Sequence, residues 1–308
     1  MKDLAILVPA YNEESTIIRC LESLLEQEDV DSIDWNICVI ANNCSDNTVL
    51  VVNDFIKGNS LEDRVLLVET DTPGKSKALN LGMKSIMAKK YAVIDADSSL
   101  EKSSLMKIYK KCKNKNLKIV GALDRPIFKN KKSLLYEYQM AQQIYREERG
   151  RVLPVGRFYM FDSDTINEFP DFLHSEDTWI DLEIAKNYGW EAVLVLMNAI
   201  VYFTPANNWL DFIKQESRFE CGLPQIIHHY PELETVWEKR REGEGRSKDR
   251  KTVFQNIKKR LTQLNIKPER IDEFDTLILD IIEDNATLMS DQLISEDGLW
   301  EPINSTKV

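Results

Sequence analysis

Tyr91-Ala92-Val93-Ile94-Asp95-Ala96-Asp97-Ser98-Ser99 is a short apolar run that breaks off in two carboxylates one residue apart. A run of that length bounded by polar residues suits a buried strand. Its C-terminal edge then delivers Asp95 and Asp97 to a cleft, which is where open α/β sheets bind ligands. Asp-x-Asp also occurs at Asp29/Asp31 and Asp162/Asp164, but only Asp95/Asp97 ends a hydrophobic strand candidate. Hard oxygen donors at such an edge suit a divalent cation that keeps room for phosphate oxygens. The residues alone leave a plainer reading open, a solvated strand end that caps the following helix.

Upstream, residues 4–8 read as a buried first strand. Pro9-Ala10-Tyr11-Asn12-Glu13-Glu14-Ser15-Thr16 follows as a loop into an amphipathic helix through about residue 27, with Ile17, Ile18, Leu21, Leu24 and Leu25 near the 3.6 period. A second strand over 36–41 meets the polar turn Asn42-Asn43-Cys44-Ser45-Asp46-Asn47-Thr48 and a helix through about residue 56. A third strand over 64–68 leads to Thr72-Pro73-Gly74-Lys75-Ser76-Lys77-Ala78-Leu79-Asn80-Leu81-Gly82, and the fourth strand is 91–95. Strand, polar turn and helix in repetition predict a parallel sheet with its functional loops on one edge. Gly74-Lys75-Ser76 invites a P-loop reading, but that motif needs a glycine where Glu69 stands, so an NTPase is rejected. Lys75 and Lys77 at a helix start remain suited to phosphates.

Together these segments resemble the family 2 glycosyltransferases of the GT-A fold. The resemblance rests on Val8-Pro9-Ala10-Tyr11-Asn12-Glu13-Glu14, on the turn from Asn42 to Thr48, on Gly74-Lys75-Ser76-Lys77-Ala78-Leu79-Asn80 and on Asp95-Ala96-Asp97, in that order and spacing. It implies an α/β GT-A fold, Rossmann-like, with a mostly parallel sheet flanked by helices. Carried over position by position, Pro9, Tyr11, Glu13 and Asn42 would line the base and ribose pocket with Lys75 nearby. Asp95 would meet the ribose and the metal, and Asp97 the metal. The family commonly has an aspartate where Asn42 stands; an asparagine carbonyl accepts the same uracil N3–H bond without charge, so a uridine donor remains the first expectation.

The resemblance continues through Val155-Gly156-Arg157-Phe158-Tyr159-Met160-Phe161, a strand candidate flanking the acceptor site, and His174-Ser175-Glu176-Asp177-Thr178-Trp179-Ile180-Asp181-Leu182. In inverting members one carboxylate of the latter is the catalytic base; Asp177 matches that position better than Glu176. Read without the family, the two acids merely favour a helix N-terminus. Asn207 to Phe219 resembles the helix carrying Gln-x-x-Arg-Trp in membrane-embedded polysaccharide synthases, with Phe219 in place of the tryptophan. By that likeness Gln215 and Arg218 contact the acceptor or the diphosphate. His229, beside His228, stands where related enzymes sometimes place a further metal ligand; a pair of surface histidines is the alternative.

Composition bounds the rest. At 308 residues and 43% hydrophobic content the chain can bury one large core or one core plus an appendage. No run of eighteen apolar residues occurs, and Met1-Lys2-Asp3 leads into a strand rather than a signal peptide. Cys20, Cys38, Cys44, Cys112 and Cys221 are odd in number and lack metal-site spacing, which predicts thiols and a cytoplasmic location. A net charge of −11 opposes general attraction to nucleic acid or anionic lipid, although residues 239–260 hold ten Lys/Arg against three acids. The expected organisation is a catalytic domain over 1–225 and a helical C-terminal extension over 226–308, with a basic helix over 237–264, an amphipathic helix after Pro268 and a tail docking through Leu299, Trp300 and Ile303. Oligomeric state is not legible.

The implied reaction is inverting, metal-dependent transfer from a nucleotide-sugar, UDP-linked, with Mn2+ or Mg2+ offsetting charge on the leaving diphosphate and Asp177 deprotonating the acceptor hydroxyl. A cell-envelope saccharide or lipid-linked glycan is the expected acceptor, with peripheral membrane contact through 239–260. A modified DNA base tracked by the same basic segment and a noncatalytic nucleotide-sugar-binding relative are the alternatives.

Overall fold

The computed structural model describes residues 1–129, 131, 133–148 and 156–243. The strands and helices expected from the first hundred residues form: β1 (Lys2–Ala10), α1 (Ile17–Leu25), β2 (Trp35–Asn42), α2 (Thr48–Gly58), β3 (Val65–Thr70), α3 (Lys75–Ser85) and β4 (Ala88–Ile94). They are followed by the two-residue β5 (Ser99–Leu100), α4 (Ser104–Lys111), β6 (Ile119–Pro126), α5 (Leu134–Glu148), β7 (Phe158–Asp162), α6 (Glu176–Tyr188), β8 (Val193–Phe203), α7 (Trp209–His229) and α8 (Glu232–Gly243). One eight-stranded sheet runs in the order β3-β2-β1-β4-β7-β6-β8-β5. β1, β2, β3 and β4 pair in parallel, as does β6 with β8. The strand expected over 155–161 enters antiparallel between β4 and β6, and Val155 itself lies outside the described residues.

The central strands are buried on both faces, which is why they read as continuous apolar runs rather than alternating ones. Side chains still alternate in direction. Leu4, Ile6 and Val8 of β1 with Ala92 and Ile94 of β4 face α1, α2 and α4. Ala5 and Leu7 with Tyr91 and Val93 face α3, α6 and the ends of α7 and α8. By the same alternation Asp95, two residues after Val93, belongs to the second face. The helices that follow Gly74 and Ser175 cover that face, so it is where an acid at the end of β4 meets them.

The boundary expected at 225/226 falls inside α7. Ile226 and Leu233 are fully buried in the same core as Tyr91 and Trp179, so the chain through α8 is continuous with the main body. The helices expected beyond residue 243, most of the basic segment and the tail from Asp291 lie outside the described residues. Among the described residues no helix is long and apolar enough to cross a membrane. All five cysteines are free thiols, as their spacing predicts.

Candidate active site

Two acid pairs that lie some eighty residues apart in sequence are joined by one lysine. Lys75 opens α3, and its Nζ lies 2.7 Å from Asp95 Oδ1 and 2.6 Å from Glu176 Oε1. Glu176 and Asp177 are the first two residues of α6, where the helix N-terminus favours their charge. Asp177 Oδ2 accepts the Gly156 N–H at 2.9 Å. A Cβ on Gly156 would stand 3.1 Å from the Asp177 carboxyl carbon, so the glycine permits this approach.

The electrostatics follow from burial. Glu176 is 3% exposed; burial pushes its carboxyl up to about 7 against the opposing pull of Lys75. Burial likewise raises Asp177, while Lys75 and the N–H groups of Thr178 and Gly156 hold it down in part. Burial alone would depress Lys75, but Asp95 and Glu176 outweigh it and its ammonium is held charged. Beneath them lies Tyr159, fully buried. Its hydroxyl is raised well above the ordinary phenol range by burial and then by Glu176, Asp177, Asp95 and Asp181.

The loops after β1 and β2 are laced to each other. Asn12 and Asn43 adopt left-handed backbone angles, φ 55° and 52°, which asparagine tolerates better than most residues. Asn12 Oδ1 accepts the Ser45 N–H at 2.7 Å, and the Glu13 N–H donates to Thr48 Oγ1 at 2.7 Å. Glu14 Oε2 accepts the Asn47 N–H at 2.9 Å. Pro9 sits at the end of β1 paired with Ile40, and Tyr11 and Glu13 are half-buried in the loop beyond it. Asn42 closes β2; its Nδ2 donates to the Gly74 carbonyl at 2.8 Å, which orients the amide, and its Oδ1 is buried with no hydrogen-bond partner.

The second half of the chain supplies cations to the same rim. Arg218 on α7 is pulled down to about 10 by burial, while Asp95 and Asp97 hold it up and Arg157 opposes them. Gln215, one turn earlier, is buried at 8% exposure. Arg157, part of the expected acceptor-flanking strand, and Asp124, which no sequence signal marked, belong to this rim: Arg157 Nε lies 3.3 Å from Asp124 Oδ2 and Nη1 lies 3.9 Å from Asp97 Oδ1. Arg19 Nη2 donates to the Asp97 carbonyl at 2.7 Å. His229 is elsewhere in kind: exposed, its ring packed on Phe172 at 4.1 Å and on His228 at 5.1 Å. Asp95, Asp97 and His229 do not form a three-ligand group, and none of His, Cys, Asp and Glu does so among the described residues. The partly exposed Asp97 carboxylate is a hard oxygen donor of the type Mg2+ and Mn2+ prefer. A cation held there would complete its shell from diphosphate oxygens and water.

Against known proteins, the profile of glycosyl transferase family 2 matches residues 5–167, more than half of the chain. The poly(ribitol-phosphate) beta-N-acetylglucosaminyltransferase TarS of Staphylococcus aureus is 28% identical over 105 residues, 34% of this chain and 18% of that protein. The UDP-Glc:alpha-D-GlcNAc-diphosphoundecaprenol beta-1,3-glucosyltransferase WfgD of Escherichia coli is 25% identical over 194 residues, 62% of this chain and 72% of that one. The structure of the mannosyltransferase PcManGT from Pyrobaculum calidifontis, in complex with GDP-Man and Mn2+, superposes with a TM-score of 0.66 over 94% of this chain and 87% of its own, at 15% identity. That likeness shows a shared fold, the α/β GT-A architecture expected from the motifs. The chain spans under a fifth of the length of the first curated relatives it matches, 15% and 18%. With residues 5–167 matched in order from β1 to β7, the chain belongs to glycosyl transferase family 2.

Proposed function

We propose that the chain transfers a sugar from a nucleoside-diphosphate donor to an acceptor hydroxyl with inversion. The observation that carries this reading is Lys75, which bridges the Asp95 strand end and the Glu176 helix start at 2.7 and 2.6 Å and so supports one shared cavity for donor and base. The loops after β1 and β2 are the proposed base and ribose pocket, with Pro9, Tyr11, Glu13 and Asn42. The buried Asn42 Oδ1 lacks a donor in the free chain, and a uracil N3–H would satisfy it. A UDP-sugar is therefore the donor we favour; the relative WfgD carries UDP-Glc in its name, while PcManGT was solved with GDP-Man.

Asp97, with Asp95, would hold Mn2+ or Mg2+, a Lewis acid for the departing diphosphate. PcManGT was solved with Mn2+. Lys75 and Arg218 add fixed positive charge on the same side. Gln215 is assigned to the diphosphate or acceptor from its position one turn from Arg218. Asp177 takes the acceptor proton: it is half-buried, oriented by the Gly156 N–H, and not clamped by the lysine as Glu176 is. Its raised carboxyl makes it a better base than an ordinary aspartate. Glu176 holds Lys75 in place. The acceptor we favour is a cell-envelope saccharide or lipid-linked glycan, in line with the named acceptors of WfgD and TarS.

A thermal-shift screen of nucleotide sugars with Mn2+ tests the donor, since a ligand of the folded state raises its apparent stability. UDP-sugars should raise Tm in a Mn2+-dependent way. A rise with GDP-sugars alone would move the base assignment away from uridine.

A further inference from the structure

We infer that Arg157 is the resident counter-ion of the proposed cation position, so that a divalent cation settles at Asp97 only together with a diphosphate. This rests on the reading that Asp97 takes a metal.

The placement comes from strand pairing. Ile94 opposes Phe158 across the antiparallel β4–β7 ladder, so the next pair outward is Asp95 with Arg157, and the Asp95 N–H donates to the Arg157 carbonyl at 3.1 Å. The ladder therefore fixes the backbone of Arg157 beside the Asp-x-Asp turn. Its guanidinium is then held three ways: Nε 3.3 Å from Asp124 Oδ2, Nη1 3.9 Å from Asp97 Oδ1, and the plane 3.8 Å from the centre of the Phe203 ring. β6 and β8 supply Asp124 and Phe203 two register positions apart, Asp124 opposite Val201 and Phe203 opposite Pro126. At 13% exposure the Arg157 side chain is poorly placed to swing into solvent.

Arginine fits this task because it stays charged, stacks on an aromatic face and presents a rigid fork to two carboxylates at once. A guanidinium shared between two carboxylates is held in place by them and keeps its positive charge. Its effect on a divalent cation is repulsive, and Arg218, whose charge also answers Asp95 and Asp97, adds to it. In the nucleotide-free chain a cation at Asp97 would therefore meet a carboxylate already paired with Arg157 and the positive charges of Arg157, Arg218 and Arg19. A diphosphate reverses that balance, because it brings negative oxygens that both ligate the metal and attract the arginines. The consequence is a donor site that does not fill with free metal and takes the cation as a complex with the nucleotide.

The test is Mn2+ binding followed by electron paramagnetic resonance of the free ion, with and without UDP, on the full chain. Wild type should bind Mn2+ at least tenfold more weakly without UDP than with it. Arg157→Gln should tighten nucleotide-free Mn2+ binding by about tenfold, and Arg157→Lys, which keeps charge but loses the fork and the stacking, should fall between. Should Arg157→Gln fail to fold, Phe203→Leu, which loosens the guanidinium alone, should still tighten it several-fold. An unchanged or weaker nucleotide-free affinity in the folded variant overturns the counter-ion role while leaving the metal at Asp97. Wild-type UDP binding that ignores Mn2+ overturns the metal reading, and the counter-ion with it.

Discussion

Lys75 carries one positive charge between two acids, and the site's pH behaviour turns on how that charge is shared. Glu176 sits above its ordinary range, at about 7, because burial outweighs the lysine. A carboxyl raised on folding binds more protons in the native than in the unfolded chain, so stability falls as pH rises from about 4.5 to 7. At about 1.4 kcal/mol per unit, the charged form costs on the order of 3–4 kcal/mol above that window. Glu176→Gln should therefore raise Tm at pH 8 and leave it nearly unchanged at pH 5; a lower Tm at pH 8 would mean that the Lys75 pair outweighs burial. Asp177→Asn should keep UDP affinity but reduce kcat by about 10²-fold or more, the range for a lost general base. In wild type, transfer should fall on acidification at a higher pH than for an ordinary aspartate, because burial raises this carboxyl. Full turnover by Asp177→Asn would remove it from the reaction. The four acids were legible in the sequence because each ends or begins a patterned segment. Asp124 and its pairing with Arg157 were not, since single charges at strand ends carry no periodic signal and only the β4–β7–β6 pairing brings them together.

Among the elements, α3 couples packing to chemistry. It presents Lys75 at its first residue and Gly82 two turns later against the sheet. A Cβ on Gly82 would stand 2.9 Å from Ile40 Cδ1 and 3.0 Å from Leu7 Cδ2, closer than side chains pack. Gly82→Ala should cost about 1–3 kcal/mol, as overpacking does, and should weaken UDP binding because the helix carries Lys75 outward. A variant with wild-type stability would show that α3 can shift freely. The N-terminal strands and helices were readable from apolar runs and polar turns, with boundaries off by a few residues: β4 ends at Ile94, and Asp95 lies just beyond it. The antiparallel direction of β7 was not readable. An antiparallel insertion between parallel strands is decided by pairing across the sheet, and the local pattern of Phe158–Asp162 is the same either way.

At the scale of the molecule, one sheet with two apolar faces brings β1 to β4, the proposed donor half, against β7, α6 and α7, the proposed acceptor half. The division expected at residue 225 falls inside α7, where Ile226 and Leu233 pack into the core under α6 and a helix running on into more helix gives no sequence break. The net charge of −11 predicts no retention of duplex DNA at about 0.15 M salt. Tight binding there, measured by filter retention, would redirect the acceptor toward nucleic acid. On the proposed reading, Asp95 and Asp97 face Glu176 and Asp177 across one donor cavity, with Lys75 between them. Anomalous scattering from crystals soaked in UDP and Mn2+, recorded at the manganese edge, tests it most directly. A peak should stand against the Asp97 carboxylate, with the diphosphate on the side of Lys75 and Arg218 and the Asp177 carboxylate facing the same space. A peak away from Asp97, or UDP bound with Asp177 walled off from it, would contradict it.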